Sequence, residues 1–231
     1  MKKFIVLGFQ RSGTHRIKEY LYKNIGKKKN TKRKVKDVYS GLLQKDIFFK
    51  NKNFYVFNPF LEKKFEIYSK KKLLKKNILS THSFYEKVFF DFKDYNFILT
   101  IRDPLSVIAS TVHYVTKKNI LNINKQYKIK SPFELANNKK IIYNYIFKYN
   151  SFYKTFLSKK SNRFLKEFIV INYNQQIYKK LETFKFKKIK IKKSKLHSTN
   201  KNKKIINILK KNYDLSNSIK IYKKLNKLCN T

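Results

Sequence analysis

The stretch Phe4-Ile-Val-Leu-Gly8-Phe-Gln-Arg11-Ser12-Gly13-Thr14-His15 sets the architecture of this chain. Phe4–Leu7 is an unbroken apolar run of strand length. After the glycines, Ile17, Leu21 and Ile25 recur every four residues with Tyr20 beside them, which is the spacing of a helix with one apolar face. Gly26 stands where such a helix would end. Strand, tight turn and helix start in that order predict a parallel sheet covered by helices. The turn also has a chemistry. Backbone N–H groups of Ser12, Gly13, Thr14 and His15 would lie at a helix N-terminus, where the partial positive charge of the helix gathers anions. Gly13 lets a phosphate come close to the backbone, and Thr14 adds a hydroxyl.

Outward from this unit, further apolar runs at Phe54–Phe57, Ile78–Leu79, Phe97–Ile101 and Phe168–Ile171 read as strands, with helical spacing between them. Asp103 is placed as an N-cap with Pro104 at the first position of a second helix. A third, long helix is expected from about Pro132 to Lys159, and short amphipathic ones over Lys203–Asn212 and Ser218–Leu228. Lys27–Lys36 and Lys185–Lys204 read as basic loops or edges. No repeat and no Pro/Gly linker divides the 231 residues, so one α/β domain over 1–231 is expected, a mostly parallel sheet flanked by helices. Residues 185–231 form a basic, helical C-terminal segment within it.

Hydrophobic residues are 42% of the chain and aromatics 16%, enough for a core, which excludes a disordered polycation. Lys and Arg number 57 against 13 acids, a formal +44 that attracts polyanions. Only Arg11, Arg16, Arg33, Arg102 and Arg163 are arginine, while Lys, Asn, Ile, Phe and Tyr abound, as A/T-rich codons would produce. Nucleotide bias is thus a sufficient source of much of the lysine, and the scarce Arg, Gly, His and Pro carry more information. The single Cys229 excludes an internal disulfide and a cysteine zinc site. His15, His82, His113 and His197 have no metal-ligand spacing, so no metal is expected. The run Phe4–Phe9 is too short for a secretory core, and Pro104–Thr116 too short for a membrane span. A cytoplasmic protein is expected, with its charge drawn to the inner membrane surface.

Gly8 and Gly13 match the front of the G-x-x-x-x-G-K-[ST] phosphate loop, but Thr14 stands for its lysine and His15 for its magnesium-binding hydroxyl. ATP or GTP hydrolysis is disfavoured. Arg11, before the glycine, is the local cation. A second anion motif follows Phe97–Ile101. Arg102 falls at the carboxyl end of that strand, where ligands gather in parallel sheets, and Ser110 lies two helical turns past Asp103. A guanidinium fork and a hydroxyl so placed can address one phosphate.

Together these motifs resemble the sulfotransferase family, which uses 3′-phosphoadenosine 5′-phosphosulfate (PAPS). Arg11-Ser-Gly-Thr14 is similar to its first signature, a basic residue followed by Ser-Gly-Thr after a strand. Arg102-Asp-Pro104 with Ser110 matches its second, Arg-[Asn/Asp]-Pro with Ser eight residues after the Arg. Ser80-Thr81-His82-Ser83 resembles the Lys-Thr-His segment of soluble members, and Phe168–Asn174 the strand ending in Tyr-Glu-Asp. The resemblance runs over roughly residues 1–183 and implies a P-loop-like fold. It implies that Arg11, Ser12, Gly13, Thr14 and His15 bind the 5′-phosphosulfate, that Arg102 and Ser110 bind the 3′-phosphate, and that Tyr173 contacts the adenosine. His82 would be the catalytic base, with Arg11 stabilising the departing phosphate.

The chain departs from the pattern where His15 replaces a second Thr and Asn174 the acid after the Tyr. It has no Gly after Gly41 for an Arg-Lys-Gly segment, leaving Lys192–Lys204 as a basic lid over the donor. Some branches use a glutamate base, so a carboxylate stays open, with Glu19, Asp37 and Glu86 nearest the motifs. The acceptor is read as a hydroxyl or amine, on a saccharide ahead of a lipid or small phenol, with the charge weakly favouring an acidic glycan. Tyr143, Tyr145, Tyr149 and Tyr153 are read as core packing or as a surface that stacks on a sugar. Two other readings are a basic nucleic-acid-binding module and a P-loop kinase of small molecules. Lysines and aromatics spread along the whole chain disfavour the first, and no specific nucleic acid is expected as a partner.

Overall fold

The computed structural model describes residues 2–25, 54–56, 78–82, 94–117, 129–158, 168–174, 177–186 and 199–229. Each of the five apolar runs contributes a strand: β1 (Phe4–Gly8), β2 (Phe54–Val56), β3 (Ile78–Thr81), β4 (Asn96–Ile101) and β5 (Phe168–Asn172). They form one parallel sheet in the order β2-β3-β1-β4-β5. β1 is central, pairing Phe4 with Ile78 on one side and with Asn96 on the other. The chain passes from β3 across β1 to β4, so the order reverses around β1. The carboxyl end of β1 is therefore the place where a crevice opens in such sheets.

Both faces of the sheet are covered, and alternate residues along each strand face opposite layers. Phe4, Val6, Ile98 and Ile171 pack with Ile17, Tyr20 and Leu21 of α1 (Thr14–Ile25) and with Ile177 of α5 (Ile177–Lys180). Ile5, Leu7, Phe97, Leu99 and Ile101 pack on the other face. There they meet α4 (Lys139–Leu157) through Tyr149, Tyr153 and Phe156, and α7 (Ser216–Lys227) through Ile221 and Leu225. A further cluster joins the outer side of α2 (Pro104–Lys117) to α3 (Pro132–Asn137), α4 and α6 (Thr199–Asn212). Full burial of each large side chain contributes about 1.5–3 kcal/mol before entropy is counted.

Asp103 caps α2 as its position requires, its Oδ2 accepting from the Ser106 N–H at 2.8 Å. The long helix expected over 132–159 is instead two. At Asn138 the backbone leaves the helical region (ψ 96°), and its side chain accepts from the Ile141 N–H to start α4. Ser131 likewise caps α3 by accepting from the Glu134 N–H. Asparagine competes with the helical backbone through its own side chain, which is why the break falls there. The stretch 185–204 reads as loop in sequence, but its end is helical from Thr199, because the apolar face of Ile205 and Leu209 draws the helix onto α2 and α3. The expected lid, Lys192–Lys204, thus divides between the first turns of α6 and residues outside the described ones. Gly26, Gly41, Lys27–Lys36, Ser83, Asp37, Glu86 and His197 also lie outside the described residues.

Candidate functional site

The turn between β1 and α1 is tightened at both ends. The Ser12 N–H donates to the Phe9 carbonyl at 3.0 Å, and the N–H groups of Arg16 and Ile17 close the first helical bonds on the Gly13 carbonyl. Gly13 has φ +111°, a conformation that favours glycine, and a Cβ there would press into the Tyr173 ring. Arg11 holds φ +66° without being glycine, so the loop keeps a strained residue at its one cationic position. Thr100 on β4 donates to the Leu7 carbonyl at 3.1 Å, leaving its oxygen to accept from Ser12 Oγ at 2.7 Å. Ser12 is fully buried and has both its donors engaged inside the protein. It ties the loop to β4. The amides of Gly13 and Thr14 precede the first helical bonds and lie open at the N-terminal turn of α1.

The second motif meets this loop directly. Arg11 Nε donates to Ser110 Oγ at 3.2 Å, and its guanidinium lies 4.7 Å from the centre of the Tyr114 ring. Ser110 and Tyr114 are four apart and share one face of α2. Arg102 Nη1 donates to the Arg11 carbonyl at 3.2 Å, and its guanidinium lies 4.3 Å from the centre of the Tyr173 ring. Burial lowers the pKa of Arg102 below its usual value, partly offset by Tyr173, although an arginine stays charged in this range. The carboxyl end of β4 is pinned from behind. Tyr149 donates to the Arg102 carbonyl at 3.0 Å and Tyr153 to the Thr100 carbonyl at 2.8 Å. Those two, with Tyr145, are buried, so these members of the tyrosine stripe are core and support; Tyr143 alone is half exposed.

Arg16 is not singled out by the sequence motifs, yet its Nη1 donates to the Tyr173 carbonyl at 2.6 Å. Its Nε is buried without a hydrogen-bond partner, beside a narrow crevice that Ile17, Ile171 and Ile177 line together with Ser12, Gly13, Thr100, Asn172 and Tyr173. An orphaned cationic donor costs roughly 1–3 kcal/mol or more. Three scarce arginines linked around one helix N-terminus have the chemistry to take a ligand with more than one phosphate or sulfate group. A signal for Arg16 does exist, since it lies one position past the open turn and belongs to the rarer basic type.

His82, directly after β3, is half-buried, and its Nδ1 stands 2.8 Å from the Gly8 carbonyl. A carbonyl only accepts, so Nδ1 carries the hydrogen and the lone pair of the neutral ring is on Nε2. Burial pushes the imidazole pKa down to about 4; the Gly8 hydrogen bond opposes this, and the Lys18 and Arg11 charges add to it. Lys18 is itself buried, four residues past Thr14 on α1, a position that nothing distinguishes from the many surface lysines in sequence. Of the carboxylates open as alternative bases, Glu19 is exposed and paired with Lys23 at 2.8 Å. His15 sits half-buried at the second position of α1. Among the described residues, no three His, Cys, Asp or Glu side chains come together as a metal site, and no helix is long and apolar enough to cross a membrane.

The structure therefore brings the two motifs together at the carboxyl ends of β1 and β4, with His82 held on the Gly8 carbonyl beside the loop. The sequence model of the sulfotransferase domain matches residues 1–175, which carry the loop, His82, Arg102, Ser110 and Tyr173. No curated protein and no solved structure matches the chain. With more than half of its length matched across a parallel α/β sheet of this order, the chain belongs to the sulfotransferase domain family and is a transferase of sulfuryl groups.

Proposed function

We propose that this sulfotransferase takes its sulfuryl group from PAPS and passes it to a hydroxyl or amine on an acidic saccharide. The observation that carries this reading is the direct link between the two anion motifs, Arg11 to Ser110 and Arg102 to the Arg11 backbone. In this reading the amides of Gly13 and Thr14, the Thr14 hydroxyl, His15 and Arg11 receive the 5′-phosphosulfate, while Ser12 holds their loop in place. Arg102 and the Ser110 hydroxyl, which keeps its own hydrogen to donate, receive the 3′-phosphate. Tyr173 meets the adenosine.

His82 Nε2 accepts the acceptor proton as the new oxygen–sulfur (or nitrogen–sulfur) bond forms. The bond from sulfur to the 5′-phosphate oxygen breaks, and Arg11 with the α1 amides stabilises the electron pair left on that oxygen. No metal takes part in this scheme. The positive surface supports a polyanionic acceptor and a peripheral attraction to anionic membrane on the cytoplasmic side. The packing of α6 and α7 onto the sheet and its helices supports reading 1–231 as one domain.

Binding of 3′-phosphoadenosine 5′-phosphate, compared with adenosine 5′-phosphate, tests the assignment. Arg102→Ala is expected to weaken the bisphosphate by on the order of 10–100-fold, the loss of a charge-assisted fork, and to change the monophosphate little. Arg102→Lys should recover only part of the loss, since a point charge lacks the fork. Equal weakening of both nucleotides would remove Arg102 from the 3′-phosphate. Transfer of labelled sulfate to heparan-like and neutral oligosaccharides would then grade the acceptor class.

A further inference from the structure

Residues beyond 175 lie outside the family match, yet α7 reaches the edge of the crevice. Its apolar face, with Ile221 and Leu225, is buried in the same cluster as Leu99, Ile101 and Val170. Its polar edge carries Tyr222 and Asn226, one turn apart, and both meet Asn172, the last residue of β5. Asn172 Nδ2 donates to Tyr222 Oη at 2.7 Å and to Asn226 Oδ1 at 2.6 Å, which uses both hydrogens of the amide. The Asn172 Oδ1 accepts from the Asn174 N–H at 3.2 Å. The chain is thus held immediately before and after Tyr173.

Tyr173 is the residue on which the crevice converges. Its N–H donates to the Ile101 carbonyl at 2.8 Å, and its carbonyl accepts from Arg16. Its ring packs on Gly13 and beneath Arg102. A rotation of the turn after β5 would carry this ring off the glycine and release both guanidinium groups together. We propose that α7 is a positioning element of the donor site: Tyr222 and Asn226, through Asn172, hold Tyr173 where it sets Arg16 and Arg102 around the phosphate loop. The C-terminal segment then completes a site whose contacts all come from the matched region. This rests on the donor-site reading above.

A double-mutant cycle tests it, with the affinity for 3′-phosphoadenosine 5′-phosphate and the Tm as the two readouts. Tyr222→Phe combined with Asn226→Ala is made in the native chain and in a Tyr173→Ala background. The pair of substitutions is expected to weaken the nucleotide about 5–10-fold when Tyr173 is present and less than about 2-fold when it is absent, the mark of residues acting through a shared partner. The fall in Tm should be alike in both backgrounds. Equal loss of affinity in the two backgrounds, or none in the native one, would leave α7 as packing alone and overturn the proposal. Should Tyr222→Phe with Asn226→Ala fold poorly, Tyr222→Phe by itself carries the same cycle with a smaller coupling. A native chain that does not bind the nucleotide would instead overturn the donor site, and this role with it.

Discussion

At the scale of single residues, His82 is where geometry and electrostatics meet most closely. Its tautomer is set by Gly8, and its folded pKa of about 4 lies below the ordinary value of 6.5. The unfolded chain therefore binds more protons between those values, so this residue's contribution to stability is present above pH 6.5 and is lost as pH falls toward 4. Native protein should show a Tm that declines over that interval, and His82→Asn should flatten the decline. As general base the residue acts in its neutral form, so kcat/KM should hold level down to about pH 5 and fall below it. The limb of kcat should lie higher, because an anionic donor compensates the Lys18 and Arg11 charges that oppose protonation. His82→Asn should lower kcat by roughly 10²–10⁴-fold with donor affinity nearly unchanged. A well-folded variant with near-normal turnover would remove His82 from the chemistry.

At the scale of elements, the β1–loop–α1 unit was legible because three signals agree there: a buried run of strand length, glycine punctuation and a four-residue apolar period. The same agreement made β4 and α2 legible through Ile101, Asp103 and Pro104. It failed at Asn138, where apolar spacing continues through the break and only a side-chain cap on Ile141 ends one helix and starts the next. Within the site, the sequence shows which residues cluster along the chain but not what distant strands bring to them. Thr100 under Ser12, Tyr114 beneath Arg11 and Asn172 beside Tyr173 are tertiary facts. Lys18 is hidden by the composition. Gly13 tests the unit as a whole, since a side chain there meets both an unfavourable φ and the Tyr173 ring. Gly13→Ala should cost about 1–3 kcal/mol of stability and reduce bisphosphate affinity with it, read by denaturant unfolding and by calorimetry. Unchanged stability would mean that the ring is not seated on the loop.

At the scale of the whole molecule, the question is whether a formal +44 serves the site or burdens the fold. Like charges on a compact surface repel, and the repulsion eases on unfolding, so the native state should gain from screening. The proposed donor site would work against that trend, because Arg11, Arg16 and Arg102 would attract an anionic donor through the same field. Raising sodium chloride from low concentration to about 0.3 M shortens the Debye length from some 30 Å toward about 6 Å. Over that range the Tm should rise while affinity for 3′-phosphoadenosine 5′-phosphate falls. Within a Debye length of the crevice the three guanidinium groups still act, so binding should persist at about 0.15 M salt. Binding of an arbitrary single-stranded DNA has no such crevice to rely on and should be lost at the same concentration, with a steep dependence on salt. A DNA affinity that survives where nucleotide binding does not would transfer the purpose of the charge from the sulfuryl donor to nucleic acid.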